Sequence, residues 1–123
     1  MLYKRQAQHG DLCVLRISPS VLDLKGVIVT DGNAASQYTR FAPAPGGLAI
    51  VDRDWTFAEF WTDADQIQRW RKTAAKCAEV LVPDRVDPRY LTGAYVSCNE
   101  AHAKFESLNT GLAASIDRHL FFL

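Results

Sequence analysis

Glu79 stands where a side chain can do chemistry. Upstream of it, apolar residues recur at helical spacing: Trp61, Ala64, Ile67, Trp70, Ala74 and Cys77. Downstream, Val80 and Val82 alternate around Leu81 at strand spacing, and Pro83, which cannot donate to a ladder, ends the run. A carboxylate at such a junction is either a solvated strand edge or an acid that the scaffold holds rigidly. A second set is Asp31, Asn33 and Ser36, just after the β-branched run at residues 27–30. Their side chains can hydrogen-bond a sugar or a phosphate, or their own backbone as turn and cap residues. The plain reading of Asp31-Gly32-Asn33 is a tight turn, since Gly and Asn accept positive φ. A third set is basic: Arg69, Arg71, Lys72 and Lys76 surround Trp70. Cations beside an exposed indole suit single-stranded nucleic acid, the charge tracking the backbone and the ring stacking on a base. The alternative is a solvated face with Trp70 buried at its helical phase, and burial is the expectation for Trp70.

Other chemistries lack their residues. His9, His102, His119, Cys13, Cys77 and Cys98 fall at no metal-ligand spacing, so no metal site is expected. A nuclease would want a His–His or Lys–His pair or a carboxylate cluster, and none is visible. There is no G-x-G-x-x-G, P-loop, H-E-x-x-H or G-x-S-x-G, which leaves dinucleotide-fold, kinase and serine-hydrolase readings without support. Lys plus Arg equal Asp plus Glu at 14 each, so bulk charge names no partner. Three scattered cysteines without C-x-x-C fit a reduced, cytoplasmic protein. No apolar run reaches membrane-spanning length, and the first residues lack the apolar centre of a signal peptide.

The elements that must position these residues read as follows. Residues 12–18 form a strand, 21–25 one helical turn stopped by Gly26, and 27–30 a second strand. Residues 42–47, Ala-Pro-Ala-Pro-Gly-Gly, are a loop, and 48–51 a short apolar run. Aromatic-rich residues 55–61 are helical, and Thr62 with Asp65 resembles a capping box that starts a helix ending near Ala78. A strand follows from Glu79, then turns, then a strand at 90–96 in which Gly93 marks a bulge or a close approach. Ser97-Cys98-Asn99-Glu100 matches a capping box for a helix closed by Asn109-Thr110-Gly111. Residues 112–123 are apolar without a clear period, and Leu120–Leu123 is expected to tuck into the core or onto a partner. The 123 residues suffice for a single domain, 1–123, and the element order makes it α+β.

Three pieces taken in order resemble one family. They are Val29-Thr30-Asp31-Gly32-Asn33-Ala34-Ala35-Ser36 with Thr39-Arg40-Phe41, then Trp55 with Phe60-Trp61, then Cys77-Ala78-Glu79-Val80-Leu81-Val82-Pro83. Together they are similar to the DarT toxins, which ADP-ribosylate bases in single-stranded DNA using NAD. The resemblance runs from about Leu2 to Glu106. It implies an ADP-ribosyltransferase-like split β-sheet core with flanking helices, and a catalytic role for Glu79. Breaking the nicotinamide glycosidic bond develops an oxocarbenium-like ribose, which a fixed carboxylate stabilises while gripping the adjacent hydroxyl. The same group can act as base on the accepting nitrogen. The resemblance also makes the segment from Asn33 to Lys76 the DNA-recognising part. The DNA-binding candidates are therefore Asp31, Asn33, Ser36, Arg40, Arg69, Arg71 and Lys72.

The chain departs from the family in two places. Asn33 stands where many relatives have histidine. Met1-Leu2-Tyr3 resembles an internal Met-Leu-Tyr of the family that follows an essential arginine. The residues that hold NAD in the family precede that point, so no cofactor-binding residue is carried over, and neither Arg5 nor Arg16 matches. The resemblance thus implies the catalytic-glutamate portion of the domain, N-terminally truncated, and the chain alone is expected not to transfer ADP-ribose. Two functions compete: a DNA-modifying toxin of a toxin–antitoxin pair, and a non-catalytic relative that binds single-stranded DNA or an antitoxin through the same surface.

Overall fold

A computed structural model describes residues 2–123. In chain order the strands are β1 (Cys13–Ile17), β2 (Ile28–Thr30), β3 (Phe41–Pro43), β4 (Glu79–Leu81), β5 (Leu91–Val96) and β6 (Ala114–Ile116). The α-helices are α1 (Arg53–Phe57), α2 (Gln66–Ala75) and α3 (Asn99–Ser107), with short 3₁₀ turns between elements. The chain divides into two compact units, Ser20–Val86 and the residues up to Pro19 together with Asp87–Leu123. No helix among the described residues is long and apolar enough to cross a membrane.

The unit built from the chain's two ends holds a three-stranded sheet in the order β1-β5-β6. β1 and β5 are antiparallel, with a register shift between Arg16 and Ile17 opposite the expected Gly93 irregularity. β5 and β6 are parallel, which requires a crossover, and α3 supplies it. Ala94, Val96, Ala101 and Phe105 form the buried cluster between strand and helix. A Cβ on Gly93 would lie 3.0 Å from the Ala113 carbonyl oxygen, the close approach that the glycine signalled.

Two expectations are corrected in this unit. Ser97 does not cap α3; the N-cap is Cys98, without a side-chain bond. Ser97 is fully buried, its hydroxyl 2.7 Å from His9 Nδ1 and donating to the His9 carbonyl at 3.1 Å, so it is unavailable to the helix. The patternless last residues resolve into β6 and a 3₁₀ turn at His119–Phe121, in which Phe121 is buried.

The central unit holds an antiparallel sheet in the order β3-β2-β4. β2 lies in the middle, and its Val29 and Thr30 are almost wholly buried. β3 takes residues that composition assigned to a loop. It is an edge strand, where Pro43 loses no ladder bond that the sheet needs. A Cβ on Gly47 would fall 2.5 Å from the Ala42 carbonyl oxygen, so only glycine lets the following 3₁₀ turn fold back on β3.

The expected helix from Thr62 starts later and is preceded by a separate short one. Asp52 caps α1 by accepting from Trp55 N–H at 2.9 Å. The Lys76 ammonium donates to the Thr56 carbonyl at 3.2 Å and to that of Ala58, and sits 5.3 Å from the Trp61 ring centroid. α2 is capped by Asp65 rather than Thr62, because the Asp65 carboxylate accepts from both Ile67 N–H and Gln68 N–H, at 2.7 and 3.1 Å.

Candidate functional site

Glu79 opens β4 directly opposite Thr30 of β2. Its side chain is exposed, yet it does not point away from the 31–36 turn: Ala34 N–H donates to Glu79 Oε2 at 2.8 Å. Its backbone is fixed as well, since Glu79 N–H donates to Thr30 Oγ1 at 3.0 Å and that hydroxyl donates to the Gly32 carbonyl at 2.7 Å. Gly32 packs closely here: a Cβ would stand 3.0 Å from Thr39 Oγ1 and 3.4 Å from the Ala74 carbonyl oxygen at the end of α2, so the Thr39 hydroxyl would have to give way by a few tenths of an ångström.

The turn itself absorbs much of the polar chemistry of the motif. Asn33 Oδ1 accepts from Ala35 N–H at 2.8 Å, and the Asn33 carbonyl accepts from Ser36 N–H at 2.9 Å and from the Thr39 hydroxyl at 2.7 Å. Ser36 Oγ accepts from Tyr38 N–H at 3.3 Å. Asp31 grips Arg40 twice, through Arg40 Nε at 2.7 Å and Arg40 N–H at 2.8 Å. Burial pushes the Asp31 carboxyl up, but the hydrogen bonds and charge of Arg40 outweigh it and hold the group below the usual carboxylate range. These residues thus serve as turn and cap groups, whichever ligand they also meet.

Beside the turn lies a cleft of ≈ 690 Å³. Asp31, Asn33, Ser36, Arg40 and Arg71 of the sequence candidates line it, whereas Arg69 and Lys72 do not. Lys72 pairs with Asp63 at 2.8 Å, and its ammonium lies 6.0 Å from the Trp55 ring centroid. The Arg71 guanidinium makes no ion pair or hydrogen bond among the described residues and stays available.

Trp70 corrects the expectation of burial. It is 53% exposed on the cleft wall, with Tyr38, 71% exposed, edge-on at 5.7 Å between ring centroids. The helical phase that marked Trp70 as core presumed that α2 buries a whole face, but Ala75 is its one buried residue. Sequence reasoning missed Tyr38, because a contact across 32 positions leaves no local trace; its only signal was an aromatic inside the polar run Gln37–Arg40. It also gave no role to Thr30, although Thr30 stands in the stretch that carries the resemblance.

Among the described residues, no group of three or more His, Cys, Asp or Glu is placed to hold a metal ion. Glu79 itself does not line the cleft; it is tied, through one neutral N–H, to the turn that borders this aromatic-walled cleft and its free guanidinium.

The chain is 29% identical over 134 residues to a DNA ADP-ribosyl transferase–DNA ADP-ribosyl glycohydrolase fusion protein of Thermosipho africanus, covering 100% of this chain and 32% of that protein. The structure of Thermosipho africanus DarTG in complex with ADP-ribose superposes with a TM-score of 0.78 at 26% identity, over 100% of this chain and 33% of that one. Thermus sp. 2.9 DarT in complex with NAD+ shares the fold at a TM-score of 0.63 and 17% identity, over 75% of this chain and 47% of that one. The chain therefore spans about a third of the length of the curated relative it matches. The model of ssDNA thymidine ADP-ribosyltransferase, DarT, matches residues 1–122, and with its mixed α/β fold the chain belongs to the DarT family.

Proposed function

We propose that the protein is an NAD-dependent ADP-ribosyltransferase that modifies thymidine in single-stranded DNA, as the cytoplasmic toxin of a toxin–antitoxin pair. Glu79 is its catalytic carboxylate. The observation that carries this reading is the 2.8 Å bond from Ala34 N–H to Glu79 Oε2, which ties the carboxylate to the turn edging the cleft. The C–N bond to nicotinamide breaks with its electron pair leaving on nicotinamide, and positive charge develops on the ribose. The Glu79 carboxylate, oriented in advance, stabilises that cation and accepts from the neighbouring ribose hydroxyl. The thymine ring nitrogen then bonds to the ribose carbon, and its proton passes to Glu79 or to water. Arg71 attracts the phosphates, and Trp70 with Tyr38 offers faces on which bases stack.

The test incubates the protein, both as these 123 residues and extended upstream, with NAD+ and a thymidine-containing oligonucleotide and reads the mass of the product; transfer is expected of the extended form. Glu79→Gln is expected to reduce transfer by about 10³-fold while DNA affinity stays within about twofold. Unchanged transfer by Glu79→Gln overturns the assignment. A second reading has its own support, because the exposed aromatic pair and the free Arg71 make a DNA-binding wall that does not involve Glu79. If the extended form binds the oligonucleotide but transfers nothing, the protein is a non-catalytic relative that binds single-stranded DNA or an antitoxin.

A further inference from the structure

We infer that Thr30 is a positioning residue that sets the geometry of Glu79 through a closed ring of hydrogen bonds. The inference rests on the reading of Glu79 as the reacting carboxylate. Thr30 is completely buried, the only polar residue of the central unit that is. Its hydroxyl does two jobs: it accepts from Glu79 N–H at 3.0 Å, and it donates to the Gly32 carbonyl at 2.7 Å. The first bond fixes the backbone that carries the carboxylate. The second fixes the turn that carries Ala34, whose N–H orients that carboxylate at 2.8 Å. One hydroxyl therefore couples both ends of the Glu79 side chain. The Glu79 carbonyl lies 3.4 Å from the same oxygen, and the single hydroxyl proton is better spent on the shorter contact to Gly32.

A methyl in place of the hydroxyl keeps the volume and the β-branch but leaves a buried carbonyl and a part-buried N–H without that partner. The turn and the strand start are then free to shift independently, and displacement of a reacting group by about 1 Å costs about 100-fold in rate. Serine restores both bonds.

The experiment compares Thr30→Val, Thr30→Ser and wild type in the full-length protein. Transfer kinetics are read alongside hydrogen exchange at the Ala34 and Glu79 amides. Thr30→Val is expected to lower kcat by about 10–100-fold with KM for NAD+ within about twofold, and to speed exchange at both amides. Thr30→Ser is expected to return kcat to within about threefold of wild type. Wild-type kcat and slow exchange in Thr30→Val overturn the inference, as does a serine variant as impaired as valine at equal thermal stability. If Glu79→Gln proves fully active, the reading of Glu79 fails by itself. Exchange at Ala34 and Glu79 then decides the coupling alone, fast in Thr30→Val supporting it and slow refuting it.

Discussion

Asp31→Asn separates two roles that the cleft assigns to one ion pair. The wild-type carboxylate holds Arg40 through Nε at 2.7 Å and through its backbone N–H at 2.8 Å. Asparagine keeps an oxygen for the backbone bond and loses the ionic one, so the turn survives. The Arg40 side chain is 70% exposed and that of Asp31 20%, which places the pair among screened surface bridges worth about 0.2–1 kcal/mol. The melting temperature should therefore fall by only about 1–4 °C. DNA binding should move the other way. Removing a negative charge about 8 Å from a phosphate in water relieves about 0.5 kcal/mol, a gain of about twofold in affinity. The released Arg40 can neutralise a phosphate, steepening the slope of log K against log salt by about 0.7 for single strands. Fluorescence anisotropy with a labelled thymidine-containing oligonucleotide across a salt series measures both. Affinity that falls with an unchanged slope would mean that Asp31 contacts the DNA itself, and the reasoning would be refuted.

Because Asp31 is held below the usual carboxylate range, the stability its pair adds is complete at neutral pH. The stability difference between wild type and Asp31→Asn should thus persist down to the ordinary carboxylate value and vanish below it, as acid titrations followed by circular dichroism will show. Arg71→Ala, which removes the free guanidinium on the cleft, should weaken oligonucleotide binding and flatten the salt slope by about 0.7. Lys72→Ala should leave the slope unchanged, since Lys72 is spent on Asp63 at 2.8 Å. Asp65→Ala should cost about 1 kcal/mol in urea unfolding by uncapping α2, while Thr62→Ala stays within about 0.5 kcal/mol.

The change of period around Glu79 was legible because helix and strand impose different spacings on neighbouring apolar residues, and β4 begins at the residue where the spacing changes. Residues 41–43 were not legible as a strand. Their pairing comes from β2 across the sheet, and proline at an edge is silent in propensity although harmless in the ladder. The two capping boxes failed for a related reason. A hydroxyl or carboxylate serves whichever donor lies nearest in three dimensions, so Ser97 went to His9 and the start of α2 went to Asp65. Periodicity likewise reports a face, not what covers it, and Trp70 sits at a core-like phase of a helix whose apolar face is left largely open. Of the candidate site, the residues adjacent in sequence were readable; Tyr38 against Trp70, and Thr30 beneath Glu79, exist only through the fold.

The partner given to Glu79 matters for the chemistry proposed for it. A carboxylate paired with a guanidinium shares its charge with that cation, and it would meet a developing ribose cation already half neutralised. Glu79 instead makes its side-chain hydrogen bond to a neutral amide, and among the described residues it has no ion pair. Arg40, at the far end of the same turn just before β3, is paired with Asp31 at 2.7 Å. The same short turn thereby orients one carboxylate by a backbone N–H and uses another to occupy the adjacent cation. Glu79 is left with a fixed direction and no competing cation, which is what electrostatic stabilisation of an oxocarbenium ion by a carboxylate requires.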